Sequence, residues 1–144
     1  MQREFQFPVP QDVLYIEDHP TNVHLMQALF KRRPHLNLLI AKSGAQAREQ
    51  AQRLRPALLL VDLRLPDCDG DELLEELRAL EGWADIPAIA VTAEAGFRLE
   101  GSGFLELWPK PLDLGHVLDR LDQLAAPAPL HAAAQSWQPA LQPT

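Results

Sequence analysis

Apolar residues gather along this chain into five short runs, and most of the stretches between them carry a three-and-four rhythm. The runs are Val13-Leu14-Tyr15-Ile16, Leu36-Asn37-Leu38-Leu39-Ile40, Ala57-Leu58-Leu59-Leu60-Val61, Ile86-Pro87-Ala88-Ile89-Ala90-Val91 and Phe104-Leu105-Glu106-Leu107-Trp108. The third and fourth are almost wholly apolar, as strands covered on both faces are. The spacing of Val23, Met26, Leu29 and Phe30 predicts a helix that stops before Pro34. Ala47, Ala51 and Leu54 predict a second, ending before Pro56. Leu73, Leu77 and Leu80 predict a third; Leu114, Val117, Leu118, Leu121 and Leu124 predict the last. Each set lines one face of a helix. Strands alternating with helices make βαβ units, hence a parallel sheet with right-handed crossovers. In an open sheet of that kind the working site lies beyond the carboxyl ends of the strands.

One gap departs from the pattern. Between the fourth and fifth runs lie only Thr92 to Gly103, with glycines at 96, 101 and 103. A crossover helix with its turns takes up about ten residues or more and does not fit comfortably in this gap, so a single helical turn or a loop is expected. After Leu124 the chain becomes rich in proline and alanine and loses its charge. The reading is an N-terminal extension over 1–11, one domain over 12–125 and an Ala/Pro-rich tail over 126–144. Leu130, Ala134 and Trp137 keep helical spacing in that tail. With Leu141, they could cover the apolar flank near Leu105 and Leu107 that a missing helix would leave open.

Composition narrows the function. The 144 residues carry a formal net charge of -7, which disfavours nucleic acid as a partner because phosphate contacts need a basic patch. Cys68 is the single cysteine, so neither an internal disulfide nor a multi-cysteine metal site can form. The histidines are scattered without ligand spacing, so no zinc site is expected. No basic start precedes an apolar stretch, and no apolar run approaches spanning length, so a cytoplasmic address is expected.

Candidate chemistry clusters where the strands end. Glu17 and Asp18 follow the first run, Asp62 ends the third, Thr92 ends the fourth, and Lys110 sits between Pro109 and Pro111 after the fifth. Parallel strands would bring all of them to one edge. Carboxylates grouped there suit a hard divalent cation such as Mg²⁺, which takes oxygen ligands and keeps several waters. An aspartate beside that cation can take up a phosphoryl group, with a hydroxyl and an ammonium to meet its oxygens. Pro111 makes the Lys110–Pro111 bond a candidate for the cis form. Asp67 and Asp69, after Pro66, are assigned to solvent and helix capping, and Gly70 to the turn into the third helix.

The stretches VLYIEDHPTN, LLLVDLRLPDCDGDELLEELR, AIAVTA and WPKPL, in that order, resemble the response regulator receiver domain of two-component signalling. EDHPTNVHLM and the KPLD ending are further similar to the receivers of hybrid sensor kinases. The resemblance implies a doubly wound five-stranded α/β sheet of flavodoxin-like order 2-1-3-4-5, here with its fourth helix shortened or missing. It implies that Asp62 accepts a phosphoryl group from a partner phosphohistidine, with Thr92 and Lys110 completing the catalytic set. It also implies Mg²⁺ held directly by Asp18 and Asp62, by the main-chain carbonyl of Arg64, and through water by Glu17. The partner would be a sensor histidine kinase or a histidine phosphotransfer protein, with a homodimer possible and the downstream protein undefined. Such a domain catalyses its own phosphorylation and dephosphorylation and is not a turnover enzyme.

Two departures stand out. Receivers usually carry an aromatic residue three positions before the lysine; here that residue is Leu107, with Trp108 facing the other way. The shortened connection lies on the surface that the family commonly uses for output. An adaptor that binds partners without phosphate is therefore the alternative reading, and a small Mg²⁺-dependent phosphatase a weaker third. Arg64 and Glu94, two residues beyond Asp62 and Thr92, could pair across the mouth of the site.

Overall fold

The computed structural model describes residues 10–125. Residues 1–9 of the extension and the 126–144 tail, with its expected cover over the flank near Leu105 and Leu107, lie outside those residues. Five strands, β1 (Gln11–Ile16), β2 (Leu36–Ala41), β3 (Leu58–Asp62), β4 (Ala88–Thr92) and β5 (Glu106–Pro109), form one sheet of order β2-β1-β3-β4-β5. Every pairing is parallel. The helices are α1 (Pro20–Phe30), α2 (Gly44–Gln50), α3 (Gly70–Arg78) and α4 (Leu114–Leu124). This is the flavodoxin-like order that the resemblance implied.

Alternation along the strands divides the core in two. Leu14, Ile16, Leu59, Val61, Ala88 and Ala90 point to the side of α2 and α3, where they meet Ala47, Leu73, Leu74 and Leu77. Val13, Tyr15, Leu58, Leu60, Ile89 and Val91 point to the other side and meet Met26, Leu29, Val117 and Leu121 of α1 and α4. Both faces are covered, which is why β3 and β4 read as unbroken apolar runs. All four anticipated α1 positions, Val23, Met26, Leu29 and Phe30, are the buried ones. Leu80 and Leu114 are exceptions: α3 stops at Arg78 and α4 starts at Leu114, so both lie at or beyond a helix end and are exposed.

No helix joins β4 to β5 among the described residues; 93–105 is irregular. Gly96, Gly101 and Gly103 all take positive φ, which a helix does not allow. The connection covers part of the flank itself. Phe104 is buried against the α3 side and meets Phe97 edge-on with ring centroids 6.1 Å apart. Arg78 donates to the carbonyls of Trp83, Ile86 and Gly103 and so ties α3 to this loop. Leu105 remains 56% exposed. As expected, Leu107 leans to the α2/α3 side while Trp108 is fully buried on the other.

A polar clasp fastens the edge strand β5. Glu106 accepts from Trp108 Nε1 at 2.9 Å and from Arg120 Nε of α4 at 2.9 Å. Hydrogen bonds from Arg120 chiefly, with that of Trp108, outweigh partial burial and hold its carboxyl below the usual range. A carboxyl depressed on folding adds stability above its unfolded value, about 4.3, and loses it as pH falls through the folded value. Glu106→Gln should therefore cost about 2 kcal/mol at neutral pH. Urea titrations near pH 7 and pH 3 should show the gap narrowing in acid.

Candidate functional site

Strand register assembles the site. Ile16 pairs with Val61, Asp62 with Val91 and Thr92 with Pro109, so the strands end level and Glu17, Asp62, Thr92 and Lys110 follow side by side. Asp18 continues the same edge just before Pro20 opens α1. Carboxylate oxygens of Glu17, Asp18 and Asp62 lie within 4.8 Å of one another; Glu17 and Asp62 are buried and Asp18 is exposed.

Lys110 joins the two buried acids. Its Nζ lies 2.9 Å from Glu17 Oε1 and 3.2 Å from Asp62 Oδ2. The Lys110–Pro111 bond is cis. Asp62 also accepts from the Arg64 N–H at 3.1 Å. Thr92 Oγ1 accepts from the Glu94 N–H at 3.0 Å, so its hydroxyl hydrogen is left to donate elsewhere. Asp62, Arg64, Thr92, Ala93, Glu94 and Lys110 line a pocket of about 360 Å³. Arg64 Nε and Glu94 Oε2 meet at 2.7 Å on its rim, as the sequence suggested.

The charges are unbalanced: three carboxylates face one ammonium. Burial first, then the charge of Glu17, pushes the Asp62 carboxyl upward, against the Arg64 N–H and Lys110. Burial also works on Glu17, but the hydrogen bond and charge of Lys110, helped by Tyr15 and His19, reverse it and hold that carboxyl low. Lys110 stays firmly protonated because its two acidic partners outweigh its own burial. One ammonium thus serves Glu17 better than Asp62, and of the two buried acids Asp62 is the one whose charge is less compensated.

A family model described as "Response regulator receiver domain" matches residues 13–121. The chain belongs to that family. This receiver is 34% identical over 106 residues to the histidine-protein kinase BarA of Escherichia coli (strain K12), covering 70% of this chain and 11% of BarA. It is 31% identical over 119 residues to the transcriptional regulatory protein ZraR of the same strain, covering 80% of this chain and 26% of ZraR. The chain therefore spans about a quarter or less of the length of these relatives. Among solved structures it is similar to the receiver domain of sensor histidine kinase PA1611 from Pseudomonas aeruginosa PAO1. The identity is 30% and the TM-score 0.70, covering 81% of this chain and 98% of that one. That structure has a magnesium ion coordinated in its active site cleft. The chemotaxis regulator CheY4 of Vibrio cholerae shares the fold, with a TM-score of 0.73 at 18% identity over 81% of this chain and 99% of its own.

The donors of this receiver fit a hard divalent cation. They are all oxygens, they converge, one is open to solvent, and their negative charge exceeds that of the single lysine. No helix of the described residues is long and apolar enough to cross a membrane. Asp67 takes the capping role assigned to it, accepting from the N–H groups of Gly44 and Ala45 at 2.8 and 2.9 Å. Asp69 occupies the N-cap position of α3 without a side-chain bond to it.

Tyr15 and Asn22 were not anticipated at the site. Tyr15 OH donates to Glu17 Oε1 at 2.9 Å, and Asn22 Nδ2 lies 3.5 Å from Glu17 Oε2. Tyr15 reads as one more apolar strand residue. Its signal was the two-residue spacing to Glu17, which directs both side chains to one side where β1 ends.

Proposed function

We propose that this receiver takes a phosphoryl group from the phosphohistidine of a sensor histidine kinase or histidine phosphotransfer protein onto Asp62, and signals through protein contacts. The observation that carries this reading is Lys110 Nζ, held between Asp62 and Glu17 beside the Asp18 carboxylate. An Asp62 oxygen attacks phosphorus in line; the phosphorus–nitrogen bond to the partner imidazole breaks, and the imidazole leaves with a proton. The product is an acyl phosphate on Asp62. Lys110 and the Thr92 hydroxyl meet the phosphoryl oxygens, while the strand ends hold these groups in place, and positioning with charge neutralisation is most of what such transfer needs. Asp18 and Asp62, with the Arg64 carbonyl and Glu17 through water, would hold Mg²⁺, which neutralises charge on the acceptor and phosphoryl oxygens when bound.

The test is incubation with a small acyl phosphate and Mg²⁺. The expected result is a mass gain of one phosphoryl group, prevented by chelation. No gain under any metal would overturn the reading. The rim pair adds a finer point to this reading: Arg64 and Glu94 meet at the mouth of the pocket that holds Asp62, where they would slow attack by water on the acyl phosphate. Arg64 is well exposed, and exposed pairs are worth at most about 1 kcal/mol. Glu94→Ala should accordingly shorten the acyl phosphate half-life by about two- to fivefold, followed by mass spectrometry after removal of the donor.

Leu107 in place of an aromatic residue, and the irregular 93–105 segment, favour a second reading. In it the receiver is an adaptor whose partner binding does not depend on phosphate. Normal partner capture by Asp62→Asn would select the adaptor; loss of capture would select phosphate-dependent signalling.

A further inference from the structure

Glu17 is fully buried and spends both oxygens on neighbours. Oε1 accepts from Tyr15 OH at 2.9 Å and meets Lys110 Nζ at 2.9 Å. Oε2 accepts from the His19 N–H at 3.2 Å and from Asn22 at 3.5 Å. Tyr15 is itself fully buried in the core between the sheet and α1 and α4, so its hydroxyl is fixed by packing and has Glu17 as its partner. The lysine that must meet an incoming phosphoryl group is thus docked at rest on an oxygen it shares with a tyrosine. When Lys110 turns to the phosphoryl oxygens it leaves Glu17, and a buried carboxylate stripped of its donors is costly. A hydroxyl already seated on the same oxygen limits that cost.

We propose that Tyr15 is a positioning residue: its hydroxyl fixes Glu17 as the resting dock of Lys110 and keeps that carboxylate partnered when the lysine moves to a phosphoryl group. The second half rests on the phosphoacceptor reading of Asp62; the tether itself does not. Tyr15→Phe keeps the ring and its packing and removes only the donor. Glu17 Oε1 then depends on Lys110 alone, and the lysine is released less readily. The maximal rate of uptake from a small acyl phosphate with Mg²⁺ should fall about tenfold, the worth of one hydrogen bond to a charged group. The donor concentration for half-maximal rate should be unchanged, and in a Glu17→Gln background the effect should vanish.

A second measurement needs neither metal nor phosphate. Urea unfolding of Tyr15→Phe, Lys110→Met and the double variant, in chelator, forms a double-mutant cycle. Tyr15→Phe should cost more with Lys110 removed than with it present, because Oε1 then keeps no donor from either residue. Additive costs, or a Tyr15→Phe protein that takes up phosphoryl groups at the wild-type rate, would overturn the proposal. Coupled costs in a protein that takes up no phosphoryl group at all would support the tether and overturn the reading of Asp62 instead.

Discussion

Asp62→Asn should abolish phosphoryl uptake and, in metal-free buffer, leave the folded protein more stable than the wild type. The first effect follows from removing the attacking oxygen's charge, and losses of a nucleophile are on the order of a thousandfold or more. The second follows from the electrostatics. Burial and the neighbouring Glu17 disfavour the charged form of Asp62, and the Arg64 N–H and Lys110 do not fully compensate. An amide of the same shape drops the surplus charge, keeps an acceptor for the Arg64 N–H, and leaves Lys110 to Glu17. Magnesium should reverse the order, because a ligand that binds the folded state stabilises it and the wild type has one more carboxylate to offer. Thermal melts of both proteins with chelator and with millimolar Mg²⁺ check this. A variant that melts below the wild type in chelator would show that Asp62 is better compensated than its surroundings indicate.

Most of the fold was legible because its signals are local and repeated. Every strand lay within two residues of an apolar run, and the third and fourth runs carried no polar interruption because both faces of the sheet are covered. The position of the site followed from parallel strands ending level, which needs no long-range contact to infer. What the sequence concealed was the interior of the site. Glu17 and Asp18 stand side by side in sequence as two carboxylates for one cation, yet Glu17 is fully buried while Asp18 is exposed. The difference arises across the sheet: Glu17 turns inward to Lys110, 93 positions away along the chain, and to Tyr15 two residues before it. Such pairings between distant positions leave no periodicity to read. Leu80 failed for a related reason, since the three-and-four rhythm continues past the end of α3 into a turn that faces water.

Gly70→Ala should be among the most damaging single substitutions in this receiver, although Gly70 reads as an ordinary turn residue. It opens α3 after the loop that follows the acceptor strand, and its N–H donates to the Leu63 carbonyl at 2.8 Å. A Cβ there would stand 2.9 Å from Leu63 Cα and 3.0 Å from Val61 Cγ1, and closer still to the Asp62 carbonyl oxygen. None of these can give way alone. Val61 is fully buried, and the other two atoms are backbone of the last β3 residue and the one after it. Relief therefore requires moving α3 or the peptide that carries Asp62. Overpacking of this kind costs about 3 kcal/mol, or roughly a 10 °C fall in melting temperature for a domain of this size. The folded fraction should also take up phosphoryl groups more slowly, since a shift of the strand end misaligns Asp62 with Lys110 and Thr92. Gly96→Ala is the control: its φ of 89° strains any side chain, but a Cβ there meets nothing within 4 Å. That strain should cost about 1 kcal/mol and leave the rate alone. Equal losses from the two variants would mean that the close approach of α3 to Asp62 does not set the geometry of the site.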